Sequence, residues 1–97
     1  MKEKLIELIT AITKRPAMYG VNKVEDFALI IFGYIACSAV AQGTSSDFNT
    51  EFRNYVNKDF EMTGDHDWPR LIRFHSASDS HSIELFSKLF SKYLTSN

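Results

Sequence analysis

An uncharged stretch from Phe27 to Ala41 constrains the fold of this 97-residue chain more than any other feature. Its residues are apolar on nearly every side of a helix, which is typical of a helix that other helices surround. The stretch is shorter than the roughly 18–20 apolar residues that cross a bilayer, and it contains the less apolar Gly33, Tyr34 and Ser38. The sequence therefore predicts a buried central helix over residues 24–41.

Signals at both ends bound this helix. Asn22 and Glu25 have the spacing of a capping box, and Asp26 joins Glu25 in the first turn, where the helix dipole favours acidic side chains. Gly43 is well placed to end the helix. Cys37 is the single cysteine, so it cannot form an internal disulfide, and we expect it to be buried as a small, unreactive hydrophobic residue.

Apolar residues at helical spacing predict four further amphipathic helices. Leu5, Leu8, Ile9 and Ile12 mark the first, which Pro16 ends because the residue before a proline leaves helical geometry. The apolar positions of the others are Phe48, Phe52, Tyr55, Val56 and Phe60 after a cap at Asp47; Trp68, Leu71, Ile72 and His75 after a cap at Asp67; and Ile83, Phe86, Leu89, Phe90, Tyr93 and Leu94 after a cap at Asp79 or Ser80.

The connections between these helices are short. Met18 and Tyr19 follow Pro16 and are expected to tuck under the core, and Gly20 supplies a turn. No stretch alternates between apolar and polar residues as a strand does. The predicted fold is all-α, a single-domain bundle over residues 1–97 with about five helices packed around the central one.

Residues that could carry catalysis are few. The three histidines, His66, His75 and His81, have spacings that match no zinc signature, and the sequence predicts neither a metal site nor a cofactor. His75 and His81 could act as an acid–base pair in a ribonuclease-like reaction, so a small enzyme stays as an alternative function. The structural interpretation places His75 on the inner face at the end of the fourth helix, and an exposed His81 in the first turn of the last.

Charge is unevenly distributed. Residues 47–67 carry six acidic and two basic side chains, a net of −4, in a chain whose overall charge is −1. A near-neutral chain is a poor candidate for general nucleic-acid binding, which usually needs a basic face. Arg70 and Arg73 leave a helix-turn-helix regulator as a second alternative, although the acidic residues beside them would repel phosphate. The acidic segment is either a solvated surface or a patch that attracts a basic partner.

The run Arg15-Pro16-Ala17-Met18-Tyr19-Gly20 resembles the Arg-Pro-x-Met-Tyr-x-Gly opening of a group of small bacterial helical proteins. The Gly33-Tyr34 pair is similar to one that the group carries about a dozen residues later, and the aromatic residues that follow, at Phe48, Phe52, Phe60, Trp68, Phe86 and Phe90, extend the likeness over most of the chain. Ala17 departs from the pattern at a position where glycine is frequent, and here the glycine follows Tyr19 directly. Members of this group are immunity proteins encoded beside polymorphic toxins, including toxins of contact-dependent growth inhibition.

The resemblance implies a non-enzymatic protein that binds one toxin domain, usually a nuclease, and blocks its active site inside the producing cell. The N-terminus has no continuous apolar region of the kind a signal peptide needs, which agrees with a cytoplasmic protein. Neither a membrane nor a nucleic acid is an expected direct partner. Trp68 is a candidate anchor or a core residue, and the acidic side chains expected to contact the basic toxin are Asp59, Glu61, Asp65 and Asp67, with Asp79 further out.

Overall fold

A computed structural model describes residues 2–42, 48–64 and 66–95. Over these residues the chain is helical and contains no strand, which confirms the predicted all-α fold. The helices are α1 (Lys2–Lys14), α2 (Val24–Gln42), α3 (Phe48–Asp59), α4 (Trp68–Phe74) and α5 (Asp79–Thr95). The predicted stop at Gly43 and the predicted cap at Asp47 lie outside the described residues.

The α1 helix ends as its sequence predicts, but the turn after it is arranged differently. Pro16–Tyr19 form a short 3₁₀ helix, and Gly20 closes it in the left-handed conformation with a φ of 73°. Met18 and Tyr19 are 71% and 42% exposed, so the prediction that they pack under the core was wrong. Val21, at 2% exposed, takes the buried position, because the backbone turns back towards α2 through a hydrogen bond from its N–H to the carbonyl of Pro16.

The α2 helix is buried on one side and open on the other. The helices α1, α4 and α5 pack against it and bury Val24, Phe27, Ala28 and Ile31. Leu29 is 72% exposed and Phe32 40%, and Gly33, Ala36 and Cys37 are exposed on the same side. The prediction of burial all round, and with it a buried Cys37, was therefore wrong, because the packed helices leave that side of the apolar stretch uncovered.

The start of α2 uses different side chains from the expected capping box. The carboxylate of Asp26, in the first turn of the helix, accepts the backbone N–H of Asn22 at 2.9 Å. Glu25 instead reaches across to Arg73 on α4. The buried hydroxyl of Ser82 on α5 accepts the backbone N–H of Val24 at 3.0 Å. The long-range contacts of Glu25 and Ser82 thus tie this end of α2 to α4 and α5.

The core is largely aromatic, and Phe52 on α3 lies at its centre. Its ring meets those of Trp68, Phe86 and Tyr93 edge-on, with ring centres 5.1–5.6 Å apart. Phe27 of α2 stacks on Phe86 at 4.3 Å. Edge-on and offset pairs are the favoured arrangements of aromatic rings. Trp68 is 1% exposed, so it is a core residue and no anchor for a partner.

No helix among residues 2–42, 48–64 and 66–95 is both long and apolar enough to cross a membrane.

Candidate partner-binding surface

The acidic loop between α3 and α4 is held by one buried side chain, Asn57. Its Nδ2 donates to the carbonyl oxygens of Arg53 and His66, each at 2.8 Å, and its Oδ1 accepts the backbone N–H of His66 at 3.2 Å. Asn57 is 6% exposed, and its own backbone carbonyl accepts the N–H of Met62 at 2.8 Å. The loop is therefore clamped at both of its arms onto the last turn of α3.

Glu61 lies in this clamped loop in an uncommon conformation. Its φ is 56°, in the left-handed region, where a residue with a Cβ is disfavoured by roughly 1–2 kcal/mol. Its side chain is exposed. The clamp from Asn57 supplies the surrounding constraint that lets such a conformation persist.

Two of the five expected contact residues lie together. Asp59 and Glu61 line one shallow hollow of about 410 Å³ with Tyr55 and Lys58. The Asp59 carboxylate is 3.9 Å from the Nζ of Lys92 on α5, which is a loose ion pair. Asp65, another of the expected contact residues, lies outside the described residues.

Asp67 lies at the start of α4, beside a different depression. It occupies the cap position, but its side chain makes no capping hydrogen bond; its carboxylate instead lies 3.7 Å from the Nε of Arg70, which is 90% exposed. A groove of about 480 Å³ runs past both residues and is also lined by Met62, His66, Leu71 and Phe74. Asp67 is therefore exposed to solvent beside this groove, whereas Asp59 and Glu61 line the other hollow.

Asp79 lies near the other end of α4 and is partly neutralised. Arg73 donates to both carboxylate oxygens of Glu25, at 2.9 and 2.8 Å, and to Asp79 Oδ1 at 2.9 Å. These hydrogen bonds lower the pKa of Glu25 to about 2 and raise the pKa of Arg73 above its ordinary value. The Asp79 side chain is still 64% exposed. Arg73 joins α2, α4 and α5, so its first role is to hold these helices together.

The structure gives each histidine of the proposed acid–base pair its own local contact. The His75 ring stacks on Phe60 at 4.1 Å, and its Nδ1 lies 2.9 Å from the carbonyl of Leu71. The Nδ1 of His81 accepts the backbone N–H of Ala77 at 2.7 Å. His81 and His75 thus each have a structural hydrogen bond at the end of a helix. Within the described residues, no three His, Cys, Asp or Glu side chains are grouped so that they could hold a metal ion.

Sequence reasoning missed two residues of this surface. Asn57 was one polar residue among several on α3, and only its distance from His66 shows that it clamps the loop. Phe74 follows the apolar positions Leu71 and Ile72 but does not share their helical spacing, and it is 82% exposed. An isolated aromatic residue just outside the inward-facing positions of α4 was the available signal.

Comparisons of the chain with protein-family models, with curated proteins and with solved structures find no match.

Proposed function

We propose that this chain is an immunity protein that binds a cognate toxin domain, a nuclease, and neutralises it by blocking its active site in the cytoplasm of the producing cell. The proposal takes its class from the resemblance carried by Arg15–Gly20 and Gly33-Tyr34. A nuclease site is basic because it holds phosphate, so carboxylates on an inhibitor complement it in charge and accelerate the encounter.

The observation that carries the proposal is the clamped acidic loop. Residues 60–67, which join α3 to α4, hold three acidic side chains and no lysine or arginine, a net of −3. The buried amide of Asn57 fixes the arm of this loop at His66, its backbone carbonyl fixes the arm at Met62, and Glu61 and Asp67 are exposed to solvent. A loop that is ordered before binding loses less conformational entropy when a partner docks on it. Such a loop is suited to recognition of a basic surface.

The two alternative functions receive less support from the same geometry. An acid–base enzyme needs His75 and His81 to offer ring nitrogens to one substrate, whereas the Nδ1 of each already contacts a backbone group at a helix end. A helix-turn-helix regulator needs free cations on its recognition helix, whereas Arg73 on α4 is bound by two carboxylates and Asp67 precedes the helix. Protein binding is the function that these contacts favour.

Charge reversal in the loop tests the proposal. We expect Asp65→Lys with Asp67→Lys to slow association with the nuclease domain encoded beside this chain, and to slow it most at low ionic strength, where charge steering is strongest. The fold should be little affected, because the exposed Asp67–Arg70 pair contributes about 1 kcal/mol at most. Stopped-flow association at several salt concentrations measures the rate, and thermal unfolding checks the fold.

The matched control is Glu3→Lys with Glu7→Lys, which changes the net charge by the same amount on the exposed side of α1. If both double variants associate equally fast, the loop is not the steering surface. If the unmodified chain neither binds that domain nor protects cells from it, the proposed function itself is wrong.

A further inference from the structure

Phe74 is the most exposed of the large apolar side chains in the described residues, at 82%. It is the last residue of α4, and it stands between two depressions in the surface. One is the 480 Å³ groove beside Asp67, and the other, of about 260 Å³, is lined by Glu25, Pro69, Arg70, Arg73 and Phe74 itself. A ring in this position projects from the surface, and water surrounds most of it.

One edge of the Phe74 ring nevertheless contacts another ring of the chain. Phe74 meets His75 edge-on, with ring centres 5.3 Å apart. His75 in turn stacks on Phe60 and is held through its Nδ1 at the carbonyl of Leu71. The contact with His75 covers only a small part of the Phe74 ring, so most of its apolar area is available to be buried against a partner.

Charge around Phe74 favours a basic partner over an acidic one. Arg73 is already bound by Glu25 and Asp79, and Arg70 is opposed by Asp67. Three carboxylates thus face two guanidinium groups. One of the three, Asp67, belongs to the loop of net charge −3, which also contributes Met62 and His66 to the lining of the groove. An aromatic anchor within a polar, charged rim is the usual arrangement of a binding hot spot.

We infer that Phe74 is the affinity anchor of this chain: it inserts into an apolar pocket on the toxin domain whose rim is basic, and the rim meets Asp67 and Asp79. The inference rests on the proposed function and adds to it separate kinetic roles for the acidic loop and for Phe74. The acidic loop sets the association rate, whereas Phe74 sets the dissociation rate, because burial of an apolar ring acts only after the surfaces have met.

The test measures binding of Phe74→Ala to the catalytically inactivated nuclease domain encoded beside this chain. We expect affinity to fall by about 30-fold or more, the loss typical of a hot-spot residue, with most of it in a faster dissociation rate. The melting temperature should stay unchanged, because the replaced ring is mostly in solvent. A photo-crosslinking residue at position 74 should attach to a pocket on the toxin domain.

Met18→Ala is the matched control, since Met18 is 71% exposed but lines neither depression. It should change affinity by less than about twofold. If the unmodified chain binds and Phe74→Ala binds as well as Met18→Ala, the anchor is elsewhere, while the proposed function stands. If the unmodified chain does not bind, both proposals fail. If the isolated chain is a dimer that Phe74→Ala dissociates, the occupant is a second copy of this chain, and the inference is overturned.

Discussion

Replacement of Asn57 by alanine is the sharpest test of how this fold orders its acidic loop. The substitution removes a buried amide that joins the end of α3 to the residue just before Asp67. It leaves the helix backbone intact, because Asn57 lies inside α3 and alanine is a good helix former. The side-chain clamp is therefore lost without a direct effect on the helix that carries it.

The magnitude follows from the three hydrogen bonds that are lost. Each contributes about 0.5–1.5 kcal/mol, which gives about 3 kcal/mol in total. Water can reach His66, which is exposed, and alanine favours the helix by about 0.5 kcal/mol over asparagine. We therefore expect the free energy of unfolding to fall by about 2 kcal/mol, which lowers the melting temperature of a domain of this size by about 10 °C.

Two measurements check this prediction, with Asn54→Ala as the matched control on the exposed side of the same helix. Chemical denaturation gives the change in the free energy of unfolding for Asn57→Ala and for the control. Hydrogen exchange reports the amide of His66, whose N–H bonds to Asn57 Oδ1 and should lose its protection. The amide of Met62 bonds to the backbone of residue 57, so it should be affected less.

A specific result would refute the reasoning. If Asn57→Ala and Asn54→Ala destabilise the chain equally, and the His66 amide exchanges at the same rate in both, then the amide does not hold the loop. The acidic loop would then be ordered by its backbone hydrogen bonds alone, and the main support for a preformed recognition surface would be lost.

Two further predictions concern charge and backbone strain. The pKa of Glu25 is lowered to about 2 in the folded chain, from about 4.5, so the stability that its pair with Arg73 contributes is complete above about pH 4.5 and is lost as the pH falls towards 2. Glu25→Gln should therefore cost about 1 kcal/mol at pH 7, as expected for a half-exposed pair, and almost nothing near pH 2; an equal cost at both values in denaturation experiments would contradict this. Glu61→Gly should raise the free energy of unfolding by about 0.5 kcal/mol, because the relief of the left-handed conformation exceeds the entropy cost of glycine, and yet weaken toxin binding. A less stable Glu61→Gly variant would show that the left-handed conformation carries no strain.

The helices and much of the core follow from local pattern. Leu5, Ile9 and Ile12 recur at helical spacing and are all fully buried. Pro16 ends α1 because a proline disfavours helical geometry at the residue before it, which is a local effect. The apolar positions of α5 likewise predict the buried Phe86, Leu89, Phe90 and Tyr93. Periodicity and steric limits act over one or two helical turns, so one sequence is enough to recognise them.

Whether an apolar residue is covered depends on which helices reach it, and that is a tertiary property. Leu29 and Phe74 are as apolar as their buried neighbours, but none of the described helices covers them, and they are 72% and 82% exposed. The Asn57 clamp joins residues nine apart, and the Glu25–Arg73 pair joins residues 48 apart. The sequence by itself determined the helices and their inward faces through local spacing. Only the packing decided which carboxylates are neutralised, which loop is held and which aromatic ring faces solvent, because each depends on side chains that are distant along the chain.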